Sequence, residues 1–369
     1  MAGAATDEAG LVSDQTGISW TDATWNPIVG CSLVSPGCSN CYAMRDAHRI
    51  VASGVTHYQG LVEKRHGKAV WTGKVALAPE AVLTKPLRWR RPRRIFVNSM
   101  GDLFHESVPD AWIDRVFAVM ALAPQHQFQL LTKRAKRMRD YFADPDHAAR
   151  WFRWIDDEWA MADRDLSFEK VTPNAFLSNV WLGVSAERQA EADERIPDLL
   201  ATPAAVRFVS AEPLLGPIDF TTPQGWLWNY DERRLRAPVA GWSGQWVGCG
   251  GLDWIIVGGE NGDRPMHPDW ARQIRDQCAA AHVPFHLKQW GTHSLHELRE
   301  GGELVPPIPA SGDFARMRRW NGCEFRLAAK GESVGSFMQP GWFAVPSRKH
   351  AAGRLLDDVL HDAFPEPAP

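Results

Sequence analysis

The chain has 369 residues, 44% of them hydrophobic and 23% charged, with a formal net charge of -3. That is the make-up of a globular protein with material for a large core. Its weak net charge excludes global attraction to nucleic acid or anionic membrane, leaving only local patches for such partners. Nowhere does an apolar run reach the ~20 residues of a bilayer-crossing helix. The opening MAGAATDEAGLVSDQTG is small and acidic, without the basic-then-apolar order of a secretory signal. The expectation is a cytoplasmic protein with no membrane contact, residues 1–17 being a disordered lead-in.

Short β-rich runs then alternate with helical stretches. Six are clear: Arg94–Asn98, Phe128–Thr132, Val180–Val184, Val206–Ser210, Trp254–Val257 and Pro284–Leu287. Weaker candidates are the stretch before Cys31 and the run around Val75–Leu77. These runs are nearly all apolar, as expected of parallel strands buried on both faces. Between them, Pro109–Leu122 places Trp112, Val116, Val119 and Met120 on one helical face, and Asp269–Ala281 places Trp270, Ile274 and Cys278 likewise. About eight β/α steps predict an α/β fold, a complete or partial (β/α) TIM-type barrel spanning 18–300. No GxGxxG turn opens the first unit, which weighs against a doubly wound sheet.

Two insertions interrupt this rhythm. Residues 144–174 carry Trp151, Trp154, Ile155 and Trp159 at helical spacing, and residues 225–251 are rich in Trp and Gly like a β-hairpin excursion. Residues 301–369 read as a small C-terminal β/α appendage, ending in a helix that opens at Ser347 as N-cap.

Cysteine usage is uneven. Of six cysteines, Cys31, Cys38 and Cys41 stand together, whereas Cys249, Cys278 and Cys323 are each alone. The stretch WNPIVGCSLVSPGCSNCYAMR has the spacing C-x6-C-x2-C, so three thiolates on one loop can converge on a soft metal centre. Gly30, Pro36 and Gly37 allow that loop to curl. Structural zinc wants four protein ligands, while a 4Fe–4S cluster held by three cysteines leaves one iron open. Zinc completed by a distant Cys or His is the alternative.

On these residues the chain resembles the radical S-adenosylmethionine superfamily, within it the branch of spore photoproduct lyase-like proteins. Asn26-Pro27-Ile28-Val29-Gly30-Cys31 and Cys41-Tyr42-Ala43 carry that resemblance. Over most of its length it is similar to the phage-type three-Cys-motif family of phages and bacteria, through ISWTDATWNP, RIFVNSMGDLFH and the closing AAGRLLDD. The resemblance implies a 4Fe–4S cluster on Cys31, Cys38 and Cys41, with S-adenosylmethionine on its open iron. Reductive cleavage to a 5′-deoxyadenosyl radical would follow, with electrons from a partner such as flavodoxin or ferredoxin. It also implies a phage-related context, with a nucleic acid or nucleotide as substrate and a partner protein encoded nearby. The sequence departs from the superfamily pattern in three places. The first cysteine gap is three residues longer than C-x3-C, and Asn40 stands where an aromatic usually precedes the last cysteine. The Gly-Gly-Glu usual after the second strand is not near Val75–Leu77; Gly258-Gly259-Glu260 follows a late strand instead.

In a barrel, chemistry sits just past the strand C-termini. Reading those positions gives Asn98, Ser99, Asp102, Lys133, Ser185, Glu187, Glu212, Glu260, Asn261, Lys288 and Gln289. Asp102 and His105 are candidate acid and base, with Asp102 as a helix cap the plainer alternative. Glu212 and Glu260 are the other candidate catalytic groups, and as paired carboxylates they give a rival reading, a barrel hydrolase. Asn98, Ser99, Ser185, Glu187, Gly258, Gly259, Asn261 and Lys288 are the candidate cofactor contacts. Lys133, Arg134, Lys136 and Arg137 start on the mouth side and are candidate phosphate contacts, whereas Arg88–Arg94 precedes a strand and belongs to the opposite end. A zinc-stabilised nucleic-acid-binding module without catalysis is the remaining rival.

Overall fold

The structure is a computed structural model that describes residues 16–162, 177–221, 225–227, 251–305, 316–329, 332–347 and 353–365. Its centre is a parallel sheet of seven strands: β1 (Ala23–Trp25), β2 (Arg94–Val97), β3 (Gln127–Thr132), β4 (Val180–Ser185), β5 (Val206–Ala211), β6 (Trp254–Gly258) and β7 (Phe285–Gln289). Spatial order equals chain order from β1 to β7, every pairing is parallel, and β1 and β7 are the edges. The winding never reverses, so a doubly wound sheet is excluded.

Burial on both faces explains why the strands are legible. All positions of β4, β5 and β6 are buried. Ile95, Val97, Leu130, Leu182, Val209 and Val257 point to one face, where they join the main core. That core includes Ile113, Val116, Phe117 and Met120 of the helix Asp110–Ala121 and Ile274 and Cys278 of the helix Pro268–Ala280. Phe96, Trp181, Phe208, Trp254 and Ile256 point to the other face, around Trp20.

Trp20 shows that the sheet curls. Its ring centroid lies 4.7 Å from Phe96 on β2 and 6.2 Å from Trp254 on β6. Four strand spacings of ~4.8 Å would hold those strands roughly 19 Å apart in a flat sheet. The sheet therefore bends into a half-barrel, with Trp20 plugging its N-terminal end. Ser19 Oγ reaches His286 Nε2 on β7 at 2.9 Å, linking the chain before β1 to the far edge. The outer edge of β7 is covered by the C-terminal segment, Leu287 N–H donating to the His361 carbonyl at 2.9 Å.

Several expectations need correction. The parallel sheet has seven strands among the described residues, against about eight expected. Ala76–Leu77 is no barrel strand; it pairs antiparallel with Ile28–Val29 in a separate two-stranded piece. The sheet's second strand is therefore Arg94–Val97, and the loop following it is Asn98–Asp102. The helix His147–Ala162 occurs as expected, with Trp151 stacked on Phe117 at 4.9 Å and 8°. Most of the 225–251 excursion lies outside the described residues, as do the first fifteen residues of the lead-in.

Beyond β7 the appendage is a five-stranded antiparallel sheet, with Phe343 at the centre of a small core of its own. The expected terminal helix is not there among the described residues. Instead Leu355–Leu356 pairs with Val359–Leu360 in a hairpin, Asp357 and Asp358 taking φ of 53° and 63° between them. Two successive left-handed residues form the tight turn whose twist suits a hairpin, and they end a right-handed helix. Among the described residues no helix is long and apolar enough to cross a membrane.

Candidate functional site

The cysteine loop lies across the C-terminal end of the sheet. Its entrance is held by Asn26, whose buried Oδ1 accepts from Ser99 Oγ at 3.1 Å and Met100 N at 2.9 Å. Gly30, at φ 95°, takes a left-handed turn, and its N–H donates to the Met100 carbonyl at 3.1 Å. A Cβ at Gly30 would strike the Lys74 backbone, so the residue before Cys31 must be glycine. Cys38 ends a short turn over Pro36–Cys38, and Cys41 precedes the helix Tyr42–Ala52. Cys41 N–H donates to the Cys38 carbonyl at 3.2 Å, so the last two cysteines belong to one compact turn.

Cys31, Cys38 and Cys41 line one cavity of about 190 Å³, together with Asn98, Ser99, Asp102, Lys133, Arg134, Ser185, Glu212, Gly259, Glu260, Asn261 and Lys288. Thus the residues read from strand ends gather with the three thiols. Trp20, Phe96 and Leu131 give the cavity its apolar wall. His105, Glu187 and Gly258 are not among its lining residues, and neither are Lys136 and Arg137. The last two point outward: Lys136 pairs with Asp140 and Arg137 with Asp110.

The carboxylates have defined duties. Asp102 accepts from Phe104 N at 3.0 Å, Thr132 Oγ1 at 2.7 Å, Lys133 N at 3.1 Å and Arg134 Nη1 at 3.0 Å. It ties the end of β2 to the end of β3, which absorbs its capacity as an acceptor. Glu187, fully buried, accepts from Ser35 Oγ at 2.7 Å and Arg195 at 3.1 Å and pairs with Lys133. Burial opposes its charge, but Lys133 and Arg195 overcome that and hold the carboxyl below the usual range. Glu260 accepts from Asn40 Nδ2 at 3.0 Å and pairs with Arg264, whose Nη2 also donates to the Pro36 carbonyl at 2.8 Å. Ser35, Pro36 and Asn40 belong to the cysteine loop, so Glu187 and Glu260 clamp it from two strands. Glu212, after β5, pairs with Lys288 at 2.6 Å and accepts from Gln289 at 3.0 Å. Glu212–Pro213 is a cis peptide.

His105 faces the loop as well. Its Nδ1 accepts from Ser107 N at 3.1 Å, which leaves Nε2 to donate to Ser32 Oγ at 3.0 Å. Burial, with Arg134 beside it, lowers its pKa and favours the neutral ring. Asn98, buried at φ 65°, sets its amide against the backbone of Ile28. Ser32, Ser35 and Arg264 escaped the sequence reading, which met Asn40 only as a departure from the superfamily pattern; only Arg264, four residues after Glu260, carried a local signal.

The thiols sit in a low-polarity setting. Burial, and next the charge of Asp102, push Cys31 up to about 12 against the pull of Arg134, and burial raises Cys41. Ionising Cys31 or Cys41 is therefore costly without a cation to receive it. Among the described residues no group of three or more His, Cys, Asp and Glu is gathered as a single metal ion requires. Three soft thiols nonetheless line one partly apolar cavity, with Arg134 Nη1 directed at Cys31 Sγ at 3.6 Å.

A family model described as a protein of unknown function, DUF5131, matches residues 15–365. The chain belongs to the DUF5131 family. The match takes in the half-barrel, the cysteine loop and the appendage of this DUF5131 chain together. No curated protein and no solved structure matches it.

Proposed function

We propose that this chain is a radical S-adenosylmethionine-type iron–sulfur enzyme on a TIM-type partial barrel, acting on a nucleic acid or nucleotide. One observation carries the reading: three cysteines without a fourth among the cavity's lining residues open beside polar groups from the ends of several parallel strands. Cys31, Cys38 and Cys41 would hold a 4Fe–4S cluster. When bound, that cluster would supply one electron to cleave S-adenosylmethionine reductively and so start hydrogen abstraction from the substrate.

The chain's own residues orient and exclude. Trp20, Phe96 and Leu131 keep water from the cavity floor. Ser99, Asn261 and the Lys288–Glu212 pair are the polar groups available to the cofactor's amino acid and ribose. Asn261 Oδ1 is buried with no hydrogen-bond partner, an acceptor left for a ligand's N–H or O–H. Lys133 and Arg134 are held by the buried Glu187 and Asp102, whereas Lys136 and Arg137 pair with the exposed Asp140 and Asp110, weak surface partners that a phosphate can displace, and are the phosphate contacts this reading retains.

The test is anaerobic reconstitution with iron and sulfide, then reduction in the presence of S-adenosylmethionine. The reading expects 5′-deoxyadenosine from the wild type and none from Cys31→Ala, Cys38→Ala or Cys41→Ala. A colourless protein with stoichiometric zinc would favour the binding module. Hydrolysis in air without iron, abolished by Glu212→Gln, would favour the hydrolase.

A further inference from the structure

Cys38 and Cys41 are placed by their shared turn, but Cys31 is not. Six residues separate it from Cys38, among them Leu33 and Val34, each 45% exposed. The backbone is tied as far as Cys31, whose carbonyl accepts from Gly73 N–H at 3.2 Å, and the stretch that follows it is met by side chains. Arg134, the first residue beyond Lys133 after β3 and itself 6% exposed, meets this segment directly. Its Nη2 donates to Ser32 Oγ at 2.7 Å and approaches the Ser32 carbonyl at 3.5 Å, while Nη1 points at Cys31 Sγ at 3.6 Å. On its other side the guanidinium is anchored by Asp102 at 3.0 Å and by Glu106 at 2.9 Å.

We propose that Arg134 is the positioning residue for Cys31: it ties the long first segment of the cysteine loop to the end of β3, and its charge raises the reduction potential of an iron centre held there. The first half stands on geometry alone. The second rests on the iron–sulfur reading. Five donors in a rigid fork let one side chain serve two carboxylates, a hydroxyl and a sulfur together, which a lysine cannot do. A cationic N–H aimed at a ligating sulfur stabilises the extra electron of the reduced state, and hydrogen bonds to sulfur are among the features that set such potentials. The spacing explains why this chain needs the device: a six-residue gap leaves more freedom to remove than a three-residue one.

Two variants separate the halves. Arg134→Gln removes the fork and the charge, whereas Ser32→Ala removes the hydroxyl that Arg134 and His105 both hold and leaves the pairs with Asp102 and Glu106 intact. Hydrogen exchange on the metal-free protein reads positioning. The hydrogen-bonded amides at the two ends of this stretch, Gly73 on the Cys31 carbonyl and Cys38 on the Ser35 carbonyl, should exchange roughly tenfold faster in both variants, the worth of one charge-assisted hydrogen bond, with β4 and β5 unchanged. Arg134→Lys, which keeps the charge and loses the fork, reads the positioning role if Arg134→Gln fails to fold. A redox titration of the reconstituted protein reads the charge. The midpoint should fall in Arg134→Gln by about tenfold in the one-electron equilibrium, ~59 mV, and much less in Ser32→Ala. Unchanged loop exchange in Ser32→Ala and in folded Arg134→Gln overturns the positioning role. An unchanged midpoint in iron-loaded Arg134→Gln overturns the electrical one. Faster loop exchange in a protein that takes up no iron upholds the positioning role while the iron–sulfur reading and the electrical half fall.

Discussion

Gly37 and Glu187 meet with no room for a side chain between them: a Cβ on the glycine would fall inside van der Waals contact of the Glu187 carboxylate. The middle of the cysteine loop thus rests on a buried charge at the end of β4. That charge cannot step aside, because Lys133, Arg195 and Ser35 hold it.

Gly37→Ala should therefore overpack the loop and destabilise the fold by about 1–3 kcal/mol. Urea unfolding measures the loss, and metal uptake by the refolded variant should fall with it. Unchanged stability and uptake would mean that the loop rests elsewhere.

Glu260 acts on the other flank through Asn40 and Arg264. Its side chain is 3% exposed while Arg264 is 36% exposed, so solvent screens part of the pair. Glu260→Gln should cost about 1–2 kcal/mol after that discount and raise protease sensitivity within the cysteine loop. Loss of stability without loop exposure would count against the clamp.

Acidification should weaken the protein in two windows. His286 and His293 are lowered by burial to about 4 from 6.5. The unfolded chain therefore takes up protons first, and stability falls as pH drops from about 6.5 to about 4. Glu187, held below its ordinary range, contributes stability above its unfolded pKa that is lost as pH falls through its lower folded value. Urea midpoints against pH should show both slopes. His293→Gln should make the upper slope shallower, His286 still contributing to it, and leave the lower one in place.

If a nucleic acid is the substrate, Lys136 and Arg137 lie on the side where it must approach. Each phosphate contact accounts for about one unit of the salt slope. Lys136→Gln with Arg137→Gln should flatten the slope by about two units, and Arg90→Gln with Arg91→Gln should leave it unchanged. Equal effects from both pairs would indicate nonspecific attraction; no salt-sensitive binding would turn attention to a small molecule.

The strands were legible because burial on both faces leaves an unmistakable apolar run, as in Val180–Ser185. Their ends led to Ser99, Lys133, Glu212, Asn261 and Lys288 at the cavity by the same logic. What those residues touch was not legible, since each partner is remote in sequence. Glu260 reads as a candidate catalytic group, yet it reaches Asn40, 220 positions away. The end of the chain misled through periodicity: AAGRLLDDVL suits a helix until Asp357 and Asp358 both turn left-handed. Val75–Leu77 looked like a strand of the barrel, but among the described residues Ala76–Leu77 pairs only with Ile28–Val29. Its removal makes Asn98–Asp102 the loop after the second strand, where Asp102 is already spent on Thr132 and Arg134.

The most direct test is the iron and sulfide content of protein purified and reconstituted without oxygen, beside its visible spectrum. A brown protein with about four irons and four sulfides per chain is expected. The colour should be lost in Cys31→Ala, Cys38→Ala or Cys41→Ala and kept in Cys278→Ala and Cys323→Ala. Stoichiometric zinc without iron, or a cluster that survives loss of any of the three loop cysteines, would contradict the account.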